Sequence, residues 1–339
     1  MPFRAMKSTI QRTTGSVWRA LRCAFYDWTR EMSPERRFVT TAGIVMQGYA
    51  FYALWTRSLV WPILWPTGPT LYVVVWLLYM GGYCITNALL TSEFVRKTQL
   101  ESDMIAAKKI QHTLQPHRIG PVPGYEFESY YRPFRQVGGD YFDVIDLGGN
   151  RTLLAIADVS GKGMPAALLA SNIQALVRSM AGAEPDLAAL ASRINRHLSC
   201  YSPSDRFATA MFIVLNGKSG ELLYVNAGHN PAMICGTEPA RFLGATGLPI
   251  GLFQSATYEV ASATLNSGDI LLVFTDGLPD SVAGEEPERR LSNALTGDLG
   301  TSITNLKRLV DPDLNEDDVT ILMVKRAQSE ATMASDFGG

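Results

Sequence analysis

Cysteine and histidine are both scarce in this chain, with four of each in 339 residues. Cys23, Cys84, Cys200 and Cys235 lie far apart and form no CxxC pair. That removes a disulfide framework and a zinc knuckle, and it leaves reduced thiols in a cytoplasmic setting. An excess of charge is missing too: the formal net charge is −2 and the pI is near 6.1, so no concentrated basic face marks the chain for nucleic acid. A Walker A loop is also absent. Around Gly161-Lys162-Gly163, Ile156 stands where that motif needs its first glycine, and Gly163 where it needs Ser or Thr. The two glycines can cradle an anion at a helix start or merely turn the chain sharply. His229, within Asn226-Ala227-Gly228-His229-Asn230-Pro231, has no Ser or Cys partner at a recognisable spacing and reads as structural. His112, His117 and His197 read as surface or linker residues.

Hydrophobicity is distributed unevenly. Residues 38–55 and 71–90 form two apolar runs long enough for a bilayer core, which takes roughly 17–25 residues. Trp61, Trp65, Tyr72 and Trp76 surround their connection, and Pro62, Pro66 and Pro69 make it non-helical. This predicts a transmembrane helical hairpin over residues 38–90. The preceding segment, 1–37, carries Arg4, Lys7, Arg12, Arg19, Arg22, Arg30, Arg36 and Arg37, and Arg96, Lys97, Lys108 and Lys109 follow the second run. The positive-inside bias then places both chain ends in the cytoplasm of an inner-membrane, multi-pass protein. Residues 91–115 are charged and helix-favouring, with Leu100/Met104 and Ile110/Leu114 at i,i+4 spacing. They read as a linker helix, either pairing in a homodimer or packing singly on the domain that follows, and Pro116 ends it.

Beyond Pro116 the pattern turns to short β-rich runs at 125–131, 141–147, 152–158, 207–215, 221–226, 269–275 and 319–324. Two helical stretches, 164–181 and 185–198, fall together between strands, and weaker helical signals lie at 289–295 and 302–309. Strand runs interrupted by helix pairs predict an α+β architecture of sheets covered by helices over residues 116–327. The small, polar tail 328–339 reads as disordered.

Four acids stand at the ends of those strands: Asp140 after Gly138-Gly139, Asp158 before Val159-Ser160, Asp276 before Gly277, and Asp317 before Asp318-Val319-Thr320. Any one Asp-Gly is most often a turn. Carboxylates gathered without His or Cys suit hard, oxygen-loving cations such as Mg²⁺ or Mn²⁺ and disfavour zinc.

The ordered strings Arg132-Pro133, Val137-Gly138-Gly139-Asp140-Tyr141-Phe142-Asp143, Asp158-Val159-Ser160-Gly161-Lys162-Gly163, Asn226-Ala227-Gly228-His229-Asn230-Pro231, Thr275-Asp276-Gly277 and Asp317-Asp318-Val319-Thr320 resemble the SpoIIE-like branch of the metal-dependent (PPM, phosphatase 2C-like) protein phosphatases. The resemblance spans about residues 110–325. It implies an αββα sandwich with two Mn²⁺ or Mg²⁺ ions at one end. Asp158 would bridge the ions, the carbonyl of Val159 would complete one, Asp276 and Asp317 would bind the other, and Asp140 would act mainly through coordinated water. Val159 stands where relatives often have Gly, which leaves a carbonyl ligand intact. Arg135 occupies about the place of a phosphate-binding arginine in related enzymes, or else is a solvated strand-edge charge. The implied activity is hydrolysis of phosphoserine or phosphothreonine on a phosphorylated protein, a STAS-type anti-sigma factor antagonist in a partner-switching pathway. The competing reading is a catalytically silent, membrane-tethered binding module.

Overall fold

The computed structural model describes residues 38, 41–49, 51–52, 70–116, 120–183, 186–203, 205–236, 239–282, 286–311 and 316–327. The expectations for segment 1–37 and tail 328–339 fall outside these residues. By its contacts the chain divides into two units, Met1–Ser102 and Asp103–Gly339.

In the first unit, residues 41–49 are helical, and the long helix α1 (Thr70–Leu114) begins there. The expected transmembrane hairpin is not supported: among the described residues no helix is long and apolar enough to cross a membrane. Each run also carries a polar residue that meets the other's. Gln47 Nε2 donates to Thr86 Oγ1 at 3.0 Å, and Thr86 Oγ1 donates to the Gly82 carbonyl at 2.5 Å. The helix also shows no break at residue 90, where the apolar run gives way to charged sequence.

The second unit contains two five-stranded sheets and their helices. One sheet has the order β1 (Tyr125–Arg132), β10 (Val319–Arg326), β9 (Ile270–Phe274), β6 (Ala232–Cys235), β7 (Arg241–Leu243). The other runs β2 (Asp140–Gly148), β3 (Arg151–Val159), β4 (Ala208–Asn216), β5 (Glu221–Ala227), β8 (Ala261–Thr264). Every ladder in both sheets is antiparallel.

The apolar runs of β3, β4, β9 and β10 follow from burial on both faces, since alternate side chains enter different cores. On β3, Leu153, Ala155 and Ala157 pack with α2 (Met164–Met180) and α3 (Leu187–Tyr201), while Leu154 and Ile156 enter the layer between the sheets. On β10, Leu322 and Val324 enter that same layer, while Ile321 and Met323 pack with α5 (Pro287–Ala294) and α6 (Leu299–Leu309). A single turn, α4 (Gly277–Asp280), follows β9. The result is four layers, helices, sheet, sheet, helices, as the αββα expectation requires. Local chemistry fixes the helix starts: Asp186 caps α3 by accepting from Ala188 N at 3.0 Å, and Asp298 caps α6 by accepting from Thr301 N at 2.7 Å.

Candidate active site

Side-chain parity explains where the acids go. Asp140 shares a face with Phe142, and Asp158 with Ile156 and Leu154, so both carboxylates close one end of the layer between the sheets. Asp140 and Asp158 are direct partners in the β2–β3 ladder. From the opposite sheet, Asp276 follows β9 and Asp317 precedes β10.

The two sheets are stitched together at this end. Thr275 Oγ1 and Thr320 Oγ1 both donate to Asp140 Oδ2, at 2.8 and 2.5 Å, and Thr275 Oγ1 also accepts from Thr320 N at 2.9 Å. Asp318 supplies a second stitch: Oδ1 accepts from Phe134 N at 2.7 Å and Oδ2 from Gly139 N at 2.5 Å. Glycine is required twice by this close packing. A Cβ on Gly138 would lie 2.4 Å from the Tyr131 hydroxyl and 2.6 Å from Asp318 Oδ2, and a Cβ on Gly277 would lie 2.1 Å from the Asp318 carbonyl oxygen.

The carboxylates raise one another's affinity for protons. Burial, then the charges of Asp276, Asp317 and Asp318, push Asp158 up to about 7. Burial also holds Asp140 well above the usual carboxylate range, with Asp158 and Asp318 adding to it. Asp276 is raised by burial and by Asp317 and Asp280, against the Gly277 amide and the Lys162 ammonium. Hard oxygen donors under mutual repulsion are the chemistry that a divalent cation relieves, so the donor set fits Mg²⁺ or Mn²⁺ in kind. As they stand, no three or more His, Cys, Asp or Glu side chains among the described residues are arranged so as to hold an ion.

All four acids expected from sequence meet at this end of the sandwich. The Val159 carbonyl is close by, 3.1 Å from where a Cβ on Gly139 would stand. Arg135 lies beside the 161–163 turn, its Nη1 being 3.8 Å from a Cβ built on Gly163. His229 is buried, with Thr209 Oγ1 2.8 Å from its Nδ1, and burial lowers the imidazole pKa to about 4.

Several site residues escaped sequence reasoning. Thr275, Thr320 and Asp318 organise Asp140 and the loop before it. Gln111, near the end of α1, grips Gly138 on both sides: Nε2 donates to its carbonyl at 2.7 Å, and Oε1 accepts from its amide at 3.1 Å. Farther along β2, the fully buried Asp143 accepts from Arg178 Nε and Nη2 at 2.6 and 3.0 Å, pinning α2 to the sheet. Parity along β10 is a signal that could have found Asp318, which falls in step with Leu322 and Val324 of the inter-sheet core.

Comparison with known proteins agrees with this architecture. The family model for Stage II sporulation protein E (SpoIIE) matches residues 148–327, just over half of the chain. Phosphoserine phosphatase RsbU of Bacillus subtilis is 27% identical over 184 residues, covering 54% of this chain and 55% of that protein. The chain spans about half the length of the curated relatives it matches. Among solved structures, the RsbU and RsbW domains of Rv1364c from Mycobacterium tuberculosis superpose with a TM-score of 0.52 at 30% identity, covering 61% of this chain and 62% of that one. The SiaA-PP2C domain of Pseudomonas aeruginosa shares the fold, with a TM-score of 0.59 at 19% identity over 68% of this chain and 98% of its own. With its acids at the sheet ends of that fold and a family match over more than half its length, the chain belongs to the SpoIIE family.

Proposed function

We propose that this protein is a metal-dependent phosphatase that hydrolyses phosphoserine or phosphothreonine on a regulatory protein, with two Mn²⁺ or Mg²⁺ ions held by its clustered aspartates. The observation that carries this reading is the convergence of Asp140, Asp158, Asp276 and Asp317 from two sheets, with Asp158 pushed up to about 7 by burial and its neighbours. Divalent cations bound there supply a more acidic water and offset charge on the phosphoryl oxygens. In this reading Asp158, Asp276, Asp317 and the Val159 carbonyl would hold the ions. Asp140, its Oδ2 engaged by two threonine hydroxyls, would act through water held by the ions rather than binding them directly. Arg135, beside the 161–163 turn, faces the substrate phosphoryl group.

A phosphorylated STAS-type anti-sigma factor antagonist is the substrate that the family resemblance favours. Its support here is membership of the SpoIIE family and similarity to a protein named phosphoserine phosphatase RsbU. Association with the cytoplasmic face of the inner membrane is a separate part of the proposal. It rests on the exposed apolar side chains Val73, Val74, Trp76, Leu77, Leu78 and Ile85 of α1, and recovery of the chain in the soluble fraction of lysed cells would count against it.

The test of activity is phosphate release from a phosphoserine protein by the purified chain with Mn²⁺, Mg²⁺ or chelator, beside Asp158→Asn. Cation-dependent release that the variant loses supports the enzyme. Cation binding without release from any phosphoprotein tried shifts weight to a silent binding module.

A further inference from the structure

The Gly161-Lys162-Gly163 turn, unexplained by its failed Walker pattern, places a cation against the acids. Lys162 Nζ lies 3.1 Å from Asp317 Oδ2 and donates to the Glu316 carbonyl at 2.5 Å. The same ammonium stands 5.3 Å from the centroid of the Phe134 ring. Its charge also reaches Asp276, where it opposes the effect of burial. An ammonium seated on Asp317 and a divalent cation bound to the same carboxylate repel each other at contact range. Each therefore weakens the other's hold on that group. Lysine suits such an exchange, because its point charge rides on a flexible four-carbon stem. The Phe134 face, already within cation–π reach of the ammonium, stays available to it when the carboxylate is taken.

We propose that Lys162 is a resident counter-ion which competes with the divalent cation for Asp317, yields to it by moving onto the Phe134 ring, and so sets the cation affinity of the site. This rests on the reading of the acidic cluster as a metal centre. It differs from that reading in what it predicts: a side chain outside the ligand set whose removal improves cation binding.

The experiment is calorimetric titration of the full chain with MnCl₂ and MgCl₂, for the wild type, Lys162→Gln, Lys162→Arg, Phe134→Ala and Asp158→Asn. Lys162→Gln is expected to bind cation about two- to fivefold more tightly, the scale of an exposed ion pair removed from competition. Lys162→Arg, which keeps the charge, is expected to stay within about twofold of wild type, and Phe134→Ala, which removes the ring face, to bind about twofold more weakly. Equal or weaker binding by Lys162→Gln overturns the proposal. If Asp158→Asn abolishes binding while Lys162→Gln changes nothing, only this inference falls. If the wild type binds no cation, or Asp158→Asn binds as well as wild type, the metal-centre reading falls and takes this inference with it.

Discussion

Gln111→Ala tests how far the end of α1 supports the active-site loop. The carboxamide makes two hydrogen bonds with Gly138, 2.7 Å to its carbonyl and 3.1 Å from its amide, two residues before Asp140. Each neutral bond contributes about 1 kcal/mol net, and a buried group left without a partner costs about 1–3 kcal/mol. Gly138 is itself buried, so water replaces the amide poorly. The expected loss is about 2–3 kcal/mol for the second unit, read as a lower denaturation midpoint at unchanged slope in urea. Gln111→Glu separates the two bonds, because its carboxylate still accepts from the Gly138 amide but opposes the carbonyl. It should be no more stable than the alanine variant, and both should release phosphate more slowly at saturating cation. A loss below about 0.5 kcal/mol for Gln111→Ala would refute the reasoning, since a clamp that costs nothing to remove is not holding the loop.

Other outcomes follow from the same geometry. Without cation, Asp158 has a folded pKa raised to about 7 from 3.8, so the native chain binds more protons than the unfolded one and should lose stability as pH rises from about 4 through 7; Asp158→Asn should flatten that slope in thermal melts across the same range. Gly277→Ala drives a Cβ to 2.1 Å from the Asp318 carbonyl; it should cost about 1–3 kcal/mol and most of the activity, and an unchanged melting temperature would contradict the close approach. Arg178→Ala strips two charge-assisted bonds from the buried Asp143. Breaking a buried pair costs about 3–5 kcal/mol, but the arginine side chain is 54% exposed, so about 2 kcal/mol is expected. Arg178→Lys should recover little of it, because the fork geometry is lost.

The long strands were legible because burial on both faces writes an unbroken apolar run, as in Leu153-Leu154-Ala155-Ile156 of β3. The short ones were not. Ala232–Cys235, Arg241–Leu243 and Ala261–Thr264 are too brief to show a period, and only pairing with longer neighbours makes them strands. The acids were readable as a group because each ends or precedes such a run. Their supports were hidden for another reason: Gln111 reaches its partner across 27 residues, and Asp143 meets Arg178 across 35. A polar residue on a helix surface carries no mark of a distant partner. The transmembrane hairpin expected from the two apolar runs is not supported, since among the described residues no helix is long and apolar enough to cross a membrane.

Strand β10 lies between β1 and β9 although it is the last strand in the chain. Asp318 at its threshold reaches back 179 residues to Gly139 and 184 to Phe134, and Thr320 reaches 180 to Asp140. Contacts so distant along the chain carry a large loop-closure cost and slow folding. On the ribosome, the β2–β3 hairpin can pair Asp140 with Asp158 long before β10 is made, but the groups that hold Asp140 in place arrive only with that strand. A chain released early, or cut before residue 318, therefore lacks an organised centre however well its first strands have folded. The emergence of β10 is built into the architecture as a condition of an organised centre.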